Sequence, residues 1–303
     1  MVDRYTGSIT AILTIFVITL LGVHLLNTSN PVVAHPGDVP SSDGFKGTLT
    51  SDPSGVAAGE PFDLTVTLFE PDGTTPIPAF EEVHTKLLHL ILVSQDLRQF
   101  LHVHPNYLGA GQFALEKMVL PDVPAVYVVF ADFTPKGDEQ QVVRFELLMQ
   151  LSQPAPKDLE DDSREVITGP LKIMLELPEF LDAGVEQSIR FHITDAESGE
   201  PLDALDEYLG TGGHLVIVDE TVETYLHTHP AEHDMEAMSN MPTATTYGPD
   251  LEFLTEFPSI RLYKMWLQVQ YQGEVYTAPF VISVNDLAAA PAESTPEAHS
   301  GHG

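Results

Sequence analysis

The chain has 303 residues, enough for two domains of ordinary size, and 43% of them are hydrophobic, as in a globular protein. Its 13 basic and 45 acidic residues give a net charge of −32, which disfavours binding to nucleic acid and to anionic lipid surfaces and suits cationic partners such as metal ions. The chain contains no cysteine, which excludes disulfides, cysteine nucleophiles and thiolate metal sites, including the blue-copper site.

An apolar run near the N-terminus predicts export from the cytoplasm. Residues 9–26 are apolar almost throughout, and Arg4 precedes them. The run is longer than the usual signal-peptide core of about 7–15 residues and close to the minimum of ~17 for a spanning helix. We therefore predict an N-terminal transmembrane anchor that holds the protein at the cell membrane with its body outside the cytoplasm. The alternative is a signal peptide cleaved near Ala34, which would leave a secreted protein.

The body of the chain contains an internal repeat. The stretch HLILVSQDLRQFLHVHP, residues 89–105, returns as HLVIVDETVETYLHTHP, residues 214–230, with an offset of 214 − 89 = 125 positions. The same offset relates Ala58-Gly59 to Ala183-Gly184. A repeat of this length predicts two copies of one domain rather than a solenoid of short units.

Within each copy the residue pattern is that of β-strands. FDLTVTLFE alternates with a period of two, PDGTTP has turn chemistry, and AVYVVFADF is rich in β-branched and aromatic residues. Several short strands without a long amphipathic helix predict an all-β fold, with two tandem antiparallel β-sandwiches that are immunoglobulin-like or cupredoxin-like in outline. The predicted organisation is an anchor or signal peptide (1–30), a linker (31–43), copy one (44–152), a proline-rich and charged linker (153–167), copy two (168–285) with an insertion (231–250), and a disordered tail (286–303).

Each copy carries three histidines on one predicted hairpin. Alternate residues of a strand share a face, so His102 and His104 point the same way. A turn centred between Asp96 and Leu97 places His89 opposite His104, and the matching turn in copy two places His214 opposite His229. Imidazole suits copper, zinc, nickel and iron, whereas calcium and magnesium prefer oxygen. The predicted metal ligands are His89, His102 and His104 in copy one and His214, His227 and His229 in copy two.

The surroundings of the histidines add further predictions. Ile91 and Phe100 lie on the same hairpin face, so the site should be partly dry and its histidines neutral, as metal ligation requires. Asp132, on a strand that could pass beside the hairpin, is a candidate further ligand, although copy two has Gln268 at the matching place and a solvated carboxylate is the alternative. The insertion offers His233, Met235, Met238 and Met241, of which the thioethers would favour Cu(I), while gap-filling methionines are the alternative.

One region resembles a known family. HLILVSQDLRQFLHVHPNYLGAGQF followed by VYVVFADFTPKGDEQQV, within residues 58–149, resembles exported bacterial proteins of the YtkA-like family. Copy two is similar through its three histidines and YTAPF, residues 276–280, and departs by its insertion. The resemblance implies export and a small β-sandwich domain, and some members are associated with copper or heavy-metal handling. The similarity to periplasmic copper carriers is architectural.

The sequence therefore predicts an extracytoplasmic transition-metal-binding protein with one three-histidine site per domain, acting as carrier, buffer or sensor. Copper is the favoured ion and zinc the alternative. Expected partners are the metal ion and, through the N-terminal helix, the membrane, but not nucleic acid; no protein partner is indicated. The sequence has no nucleophile elbow and no phosphate-binding glycine loop, so we do not expect an enzyme. Two alternatives stay open: a structural or protein-interaction module whose histidines are core residues, and a metal-dependent enzyme of unknown reaction.

Overall fold

The computed structural model describes residues 44–121, 126–151, 156–159, 163–230 and 246–285. These residues form 17 β-strands in four antiparallel sheets, and no helix occurs among them. The predicted fold class, all-β with two tandem antiparallel β-sandwiches, is confirmed. No helix within the described ranges is long and apolar enough to cross a membrane. The predicted N-terminal anchor, the linker 31–43 and the tail 286–303 lie outside these ranges.

The first domain consists of two sheets that enclose one core. One sheet has the order β1 (Lys46–Asp52), β2 (Pro61–Phe69), β7 (Gln112–Val119), β6 (Asn106–Gly109). The other has the order β3 (Phe80–Glu81), β8 (Val126–Pro135), β4 (His89–Ser94), β5 (Phe100–Val103), and β9 (Gln141–Leu148) also pairs with β8.

The second domain also consists of two sheets, each with four strands among the described residues. One sheet has the order β10 (Glu165–Thr168), β11 (Leu171–Glu176), β12 (Glu186–Asp195), β15 (Asp250–Glu256). The other has the order β14 (Tyr225–Thr228), β13 (His214–Asp219), β16 (Leu262–Tyr271), β17 (Glu274–Ser283).

Burial differs between the two sheets of each domain. Strand β2 alternates, with Phe62, Leu64, Val66 and Leu68 buried and their neighbours more exposed, as expected for a sheet with one face in the core. Strands β4 and β13 are buried at every residue. Residues on one face of these strands belong to the core of their own domain, so the opposite face must be covered by something else.

The two domains cover each other. The outer faces of the β4 and β13 sheets meet in a third apolar cluster, to which both domains contribute: Ile91, Val93, Leu97, Val128, Phe130, Val216, Val218, Val222, Tyr225 and Trp266. Phe100 stacks on Trp266 with ring centroids 4.9 Å apart, and Phe130 stacks on Tyr225 at 4.7 Å. Phe100 corresponds to Tyr225 in the repeat and Phe130 to Trp266, so the interface is self-complementary, as in a twofold dimer.

Candidate metal centre

The histidine hairpins have the registers that the sequence predicts. In the first domain Ile91 pairs with His102 and Val93 with Phe100, and in the second Val216 pairs with His227. The first turn is centred between Asp96 and Leu97, as predicted, and the second is centred between Thr221 and Val222. The residues at the turns, Leu97 and Val222, both have positive φ, at 63° and 60°.

Three ring nitrogens of the first domain converge. His89 Nδ1 lies 3.0 Å from His102 Nε2. Nε2 of His104 lies 3.3 Å from Nδ1 of His89 and 3.1 Å from Nε2 of His102. The structure therefore brings the three histidines predicted in copy one into one triad, with one nitrogen of each ring at a common point.

Hydrogen bonds behind the rings fix two of the tautomers in this triad. His89 Nε2 lies 3.1 Å from the carbonyl oxygen of Val83, and His102 Nδ1 lies 2.7 Å from Oε1 of Gln268. A carbonyl oxygen can only accept, so these two nitrogens carry the ring protons and donate them. The opposite nitrogens, which point at each other inside the triad, are then unprotonated lone pairs.

The second domain repeats the arrangement. His214 Nδ1 lies 3.1 Å from His227 Nε2, and one nitrogen of each of the three rings, including that of His229, lies within 4.8 Å of the other two. His214 Nε2 donates to the carbonyl oxygen of Tyr208 at 3.2 Å, and His227 Nδ1 donates to Oδ2 of Asp132 at 3.0 Å. The buried Nε2 of His229 has no hydrogen-bond partner among the described residues.

Two tight turns supply the carbonyl acceptors. Val83 and Lys86 exchange backbone hydrogen bonds around two residues of positive φ, and Tyr208 and Thr211 do the same at the equivalent place in the second domain. Positive φ at both central residues is the signature of a type I′ hairpin turn. The turn geometry thus holds the acceptor for His89, and for its counterpart in copy two, in the same position.

The two triads face each other across the domain interface. The ring of His89 lies 5.3 Å from that of His227 and 6.0 Å from that of His214, measured between centroids. The ring of His102 lies 5.5 Å from that of His227. Moreover, Gln268 of the second domain orients His102 of the first, and Asp132 of the first orients His227 of the second. The sites are therefore halves of one six-histidine cluster, and each depends on the opposite domain.

His84 is a seventh histidine of the cluster, which sequence reasoning missed. Its ring stacks on His229 with centroids 3.5 Å apart and an interplanar angle of 27°, and it meets His214 edge-on at 5.5 Å. His84 occupies the turn after Val83, where copy two has Leu209. Because the repeat does not preserve this residue, and because the contact is made with the other domain, no signal in the sequence points to it.

Burial keeps most of the rings neutral. It lowers the pKa of His89 to about 3 and that of His84 to about 4, with repulsion from neighbouring rings acting in the same direction. Burial also lowers the pKa of His104 to about 3 and holds the pKa values of His102 and His214 well below their usual range. Neutral imidazole is the form that binds metals.

Asp132 lies beside its own hairpin, as the sequence suggested, but its side chain contacts the other domain. Its backbone pairs with His89, as Gln268 pairs with His214. Its carboxylate accepts from His227, from the hydroxyl of Tyr225 at 3.0 Å, and from Nε2 of Gln140 at 2.6 Å. Burial acts to raise the pKa of Asp132, but the hydrogen bond and charge interaction with His227 outweigh it and lower that pKa.

The remaining candidates lie apart from the cluster. His233, Met235, Met238 and Met241 of the insertion fall outside the described residues, so their role as ligands stays a prediction. His192, which the sequence did not assign, donates through Nδ1 to Oδ1 of Asp250 at 2.7 Å on the far sheet of the second domain. This pair resembles a carboxylate–histidine pair of the cluster but has no second histidine beside it among the described residues.

Two segments of the chain, residues 40–150 and 165–286, match the family model "Domain of unknown function (DUF8832)". The chain therefore belongs to this family and carries its domain twice. No curated protein matches the sequence. The resemblance to YtkA-like proteins stays a prediction.

Similar solved structures include two bacterial adhesins and a bacterial alpha-2-macroglobulin. The Escherichia coli adhesin FdeC is 12% identical, with a TM-score of 0.24 over 79% of this chain and 64% of that one. The Yersinia pseudotuberculosis adhesin InvE is 9% identical, with a TM-score of 0.22 over 82% and 60%. Escherichia coli alpha-2-macroglobulin is 11% identical, with a TM-score of 0.25 over 81% and 14%. The chain spans less than two thirds of each of these proteins, and the scores are too low to carry a functional argument.

Proposed function

We propose that the protein binds transition-metal ions through its two histidine triads, one ion in each. The observation that carries the proposal is the convergence of unprotonated ring nitrogens in a buried cluster. Hydrogen-bonded core histidines would explain the outward nitrogens of His89 and His102, which donate to carbonyl oxygens. They do not explain why Nδ1 of His89 and Nε2 of His102, which are both lone pairs, lie 3.0 Å apart without a proton between them.

The dimensions of the first triad suit a small ion. Nitrogens separated by 3.0, 3.1 and 3.3 Å lie on a circle of radius about 1.8 Å. Metal–nitrogen bonds of ~2.0–2.1 Å would then place an ion about 1 Å out of the nitrogen plane, which corresponds to three corners of a tetrahedron. All three donors are imidazoles, which favours copper or zinc over calcium or magnesium. We propose copper as the ion, with zinc as the alternative.

The electrostatic state of the cluster supports the same conclusion. The rings of His89, His102 and His214 are already neutral, so metal binding at these ligands need not displace a proton from a charged imidazolium. The net charge of −32 attracts cations towards the protein. We place this function outside the cytoplasm on the strength of the apolar run at residues 9–26, and propose that the protein acts as a carrier, buffer or sensor rather than as an enzyme.

Metal titration tests the proposal. The metal-free chain should bind about two equivalents of Zn(II), Cu(II) or Cu(I). The double substitution His102→Asn with His104→Asn should reduce this to about one, and so should His227→Asn with His229→Asn. His192→Asn is the matched control outside the cluster and should leave the stoichiometry at two. Binding of less than half an equivalent by the wild-type chain, or a stoichiometry unaffected by both double substitutions, would refute the proposal.

A further inference from the structure

We infer that the two triads differ in metal affinity. The second triad, formed by His214, His227 and His229, binds a divalent ion more tightly because the carboxylate of Asp132 in the first domain accepts a hydrogen bond from His227. This inference rests on the proposed function and names the residue that makes the two sites differ in metal affinity. The first triad has only the neutral amide of Gln268 in the same place.

The repeat makes the two sites a matched pair. Asp132 and Gln268 occupy equivalent positions (268 − 132 = 136), and each pairs in the sheet with the first histidine of its own triad. Each then reaches across the interface to Nδ1 of the middle histidine of the other triad, at 3.0 Å for Asp132 and 2.7 Å for Gln268. The carbonyl acceptors of the first histidines also match, at 3.1 and 3.2 Å. The chief difference behind the rings is therefore one negative charge.

Among the histidines, the partner of that charge is His227, whose Nδ1 lies 3.0 Å from Oδ2 of Asp132. Asp132 is 3% exposed, and its hydrogen-bond donors are a histidine, a tyrosine hydroxyl and a glutamine amide. A buried carboxylate with such donors is costly unless a cation lies nearby. An ion held by His227 would supply the compensating positive charge through the imidazole ring. Nothing comparable acts on the amide of Gln268, whose Nε2 donates to the hydroxyl of Thr277 at 3.2 Å.

The expected difference is measurable. A carboxylate that accepts from the outer nitrogen of a ligating histidine raises the basicity of that ligand, and loss of such a partner typically costs about 10–100-fold in metal affinity. Because the interaction energy of the carboxylate with the ion scales with ionic charge, the gap between the two sites should be wider for Zn(II) and Cu(II) than for Cu(I).

Stepwise Zn(II) affinities of the full chain, measured by competition with a chromophoric chelator, test the inference. The wild-type chain should show two steps separated by about 10–100-fold. Asp132→Asn keeps the size of the side chain and an acceptor oxygen but removes the charge, so the tight step should weaken by about that factor. Gln268→Glu should strengthen the weak step by a similar factor, and the double exchange should reverse the order of the triads.

Backgrounds with one triad assign each step. With His102→Asn and His104→Asn in place, Asp132→Asn should still weaken binding. With His227→Asn and His229→Asn in place, Gln268→Glu should tighten binding and Asp132→Asn should change it little. The matched control is Asp250→Asn, which removes a carboxylate 2.7 Å from the unrelated His192 and should leave both steps unchanged.

The outcomes separate this inference from the proposed function. Two equal steps in the wild-type chain, or steps that do not move with Asp132→Asn and Gln268→Glu in variants that keep the wild-type circular dichroism spectrum, would overturn the inference alone. Absence of metal binding in the wild-type chain would overturn the proposed function itself.

Discussion

Acidification should destabilise the metal-free protein well above the pH at which its carboxylates titrate. Burial lowers the pKa of His89 to about 3 and holds that of His214 well below its usual range, whereas both groups have an ordinary pKa of about 6.5 in the unfolded chain. The folded state thus binds fewer protons than the unfolded state below pH 6.5. Stability is complete above that value and falls as the pH drops from 6.5 towards 3.

The size of the effect follows from the two most buried rings. His89 is 4% exposed and His214 is 0% exposed, so solvent does not screen them. Each costs about 1.4 kcal/mol at pH 5.5, one unit below the unfolded pKa, and for His89 the cost grows by about 1.4 kcal/mol per further unit down to its folded pKa of about 3. Together they remove about 3 kcal/mol at pH 5.5, a large share of the ~5–15 kcal/mol that stabilises a typical protein. The partly exposed rings of the cluster add to this with smaller contributions.

Urea unfolding at pH 7.5, 6.5 and 5.5, in the presence of a chelator, measures this loss. The free energy of unfolding should fall by about 3 kcal/mol or more between the first and last pH. In His214→Asn the fall should shrink by about 1.4 kcal/mol, because one of the two titrations has been removed. His192→Gln, a histidine outside the cluster, should retain the wild-type fall. A free energy of unfolding that stays constant from pH 7.5 to 5.5 would refute the argument that these rings are buried and neutral.

Two further predictions concern the domain interface. Trp266→Ala removes the ring stacked on Phe100 and should lower the free energy of unfolding by about 3–5 kcal/mol. The control Phe180→Ala, at a ring 62% exposed, should change it by less than about 1 kcal/mol. Equal effects of the two substitutions would contradict the described interface. His84→Ala removes the ring stacked on His229, so a chelator should remove metal from the second triad about tenfold faster and from the first triad at an unchanged rate. Unchanged rates at both triads would show that the His84 ring does not shield the site.

The histidine triads could be predicted from the sequence because they depend on local rules. Alternation within a strand places His102 and His104 on one face, and the position of the turn brings His89 to them. The structure confirms the predicted hairpin registers. The apolar neighbours Ile91 and Phe100 also indicated that this face is partly dry, and the structure has Ile91 buried and Phe100 half-buried.

The meeting of the two triads could not be predicted in the same way. The repeat shows that two domains exist, but it does not show which faces they bury against each other. Asp132 was therefore considered beside its own hairpin, whereas its side chain orients His227 of the other domain. His84 was missed because its contact with His229 is made only after the domains dock.

The most direct test of the metal centre is anomalous scattering from crystals of the Zn(II)-loaded protein, measured on both sides of the zinc absorption edge. The account predicts two anomalous peaks at the interface between the domains, each about 2.0–2.1 Å from one nitrogen of three histidines: His89, His102 and His104 for one, and His214, His227 and His229 for the other. Peaks located only elsewhere on the protein, with both triads free of metal, would contradict it.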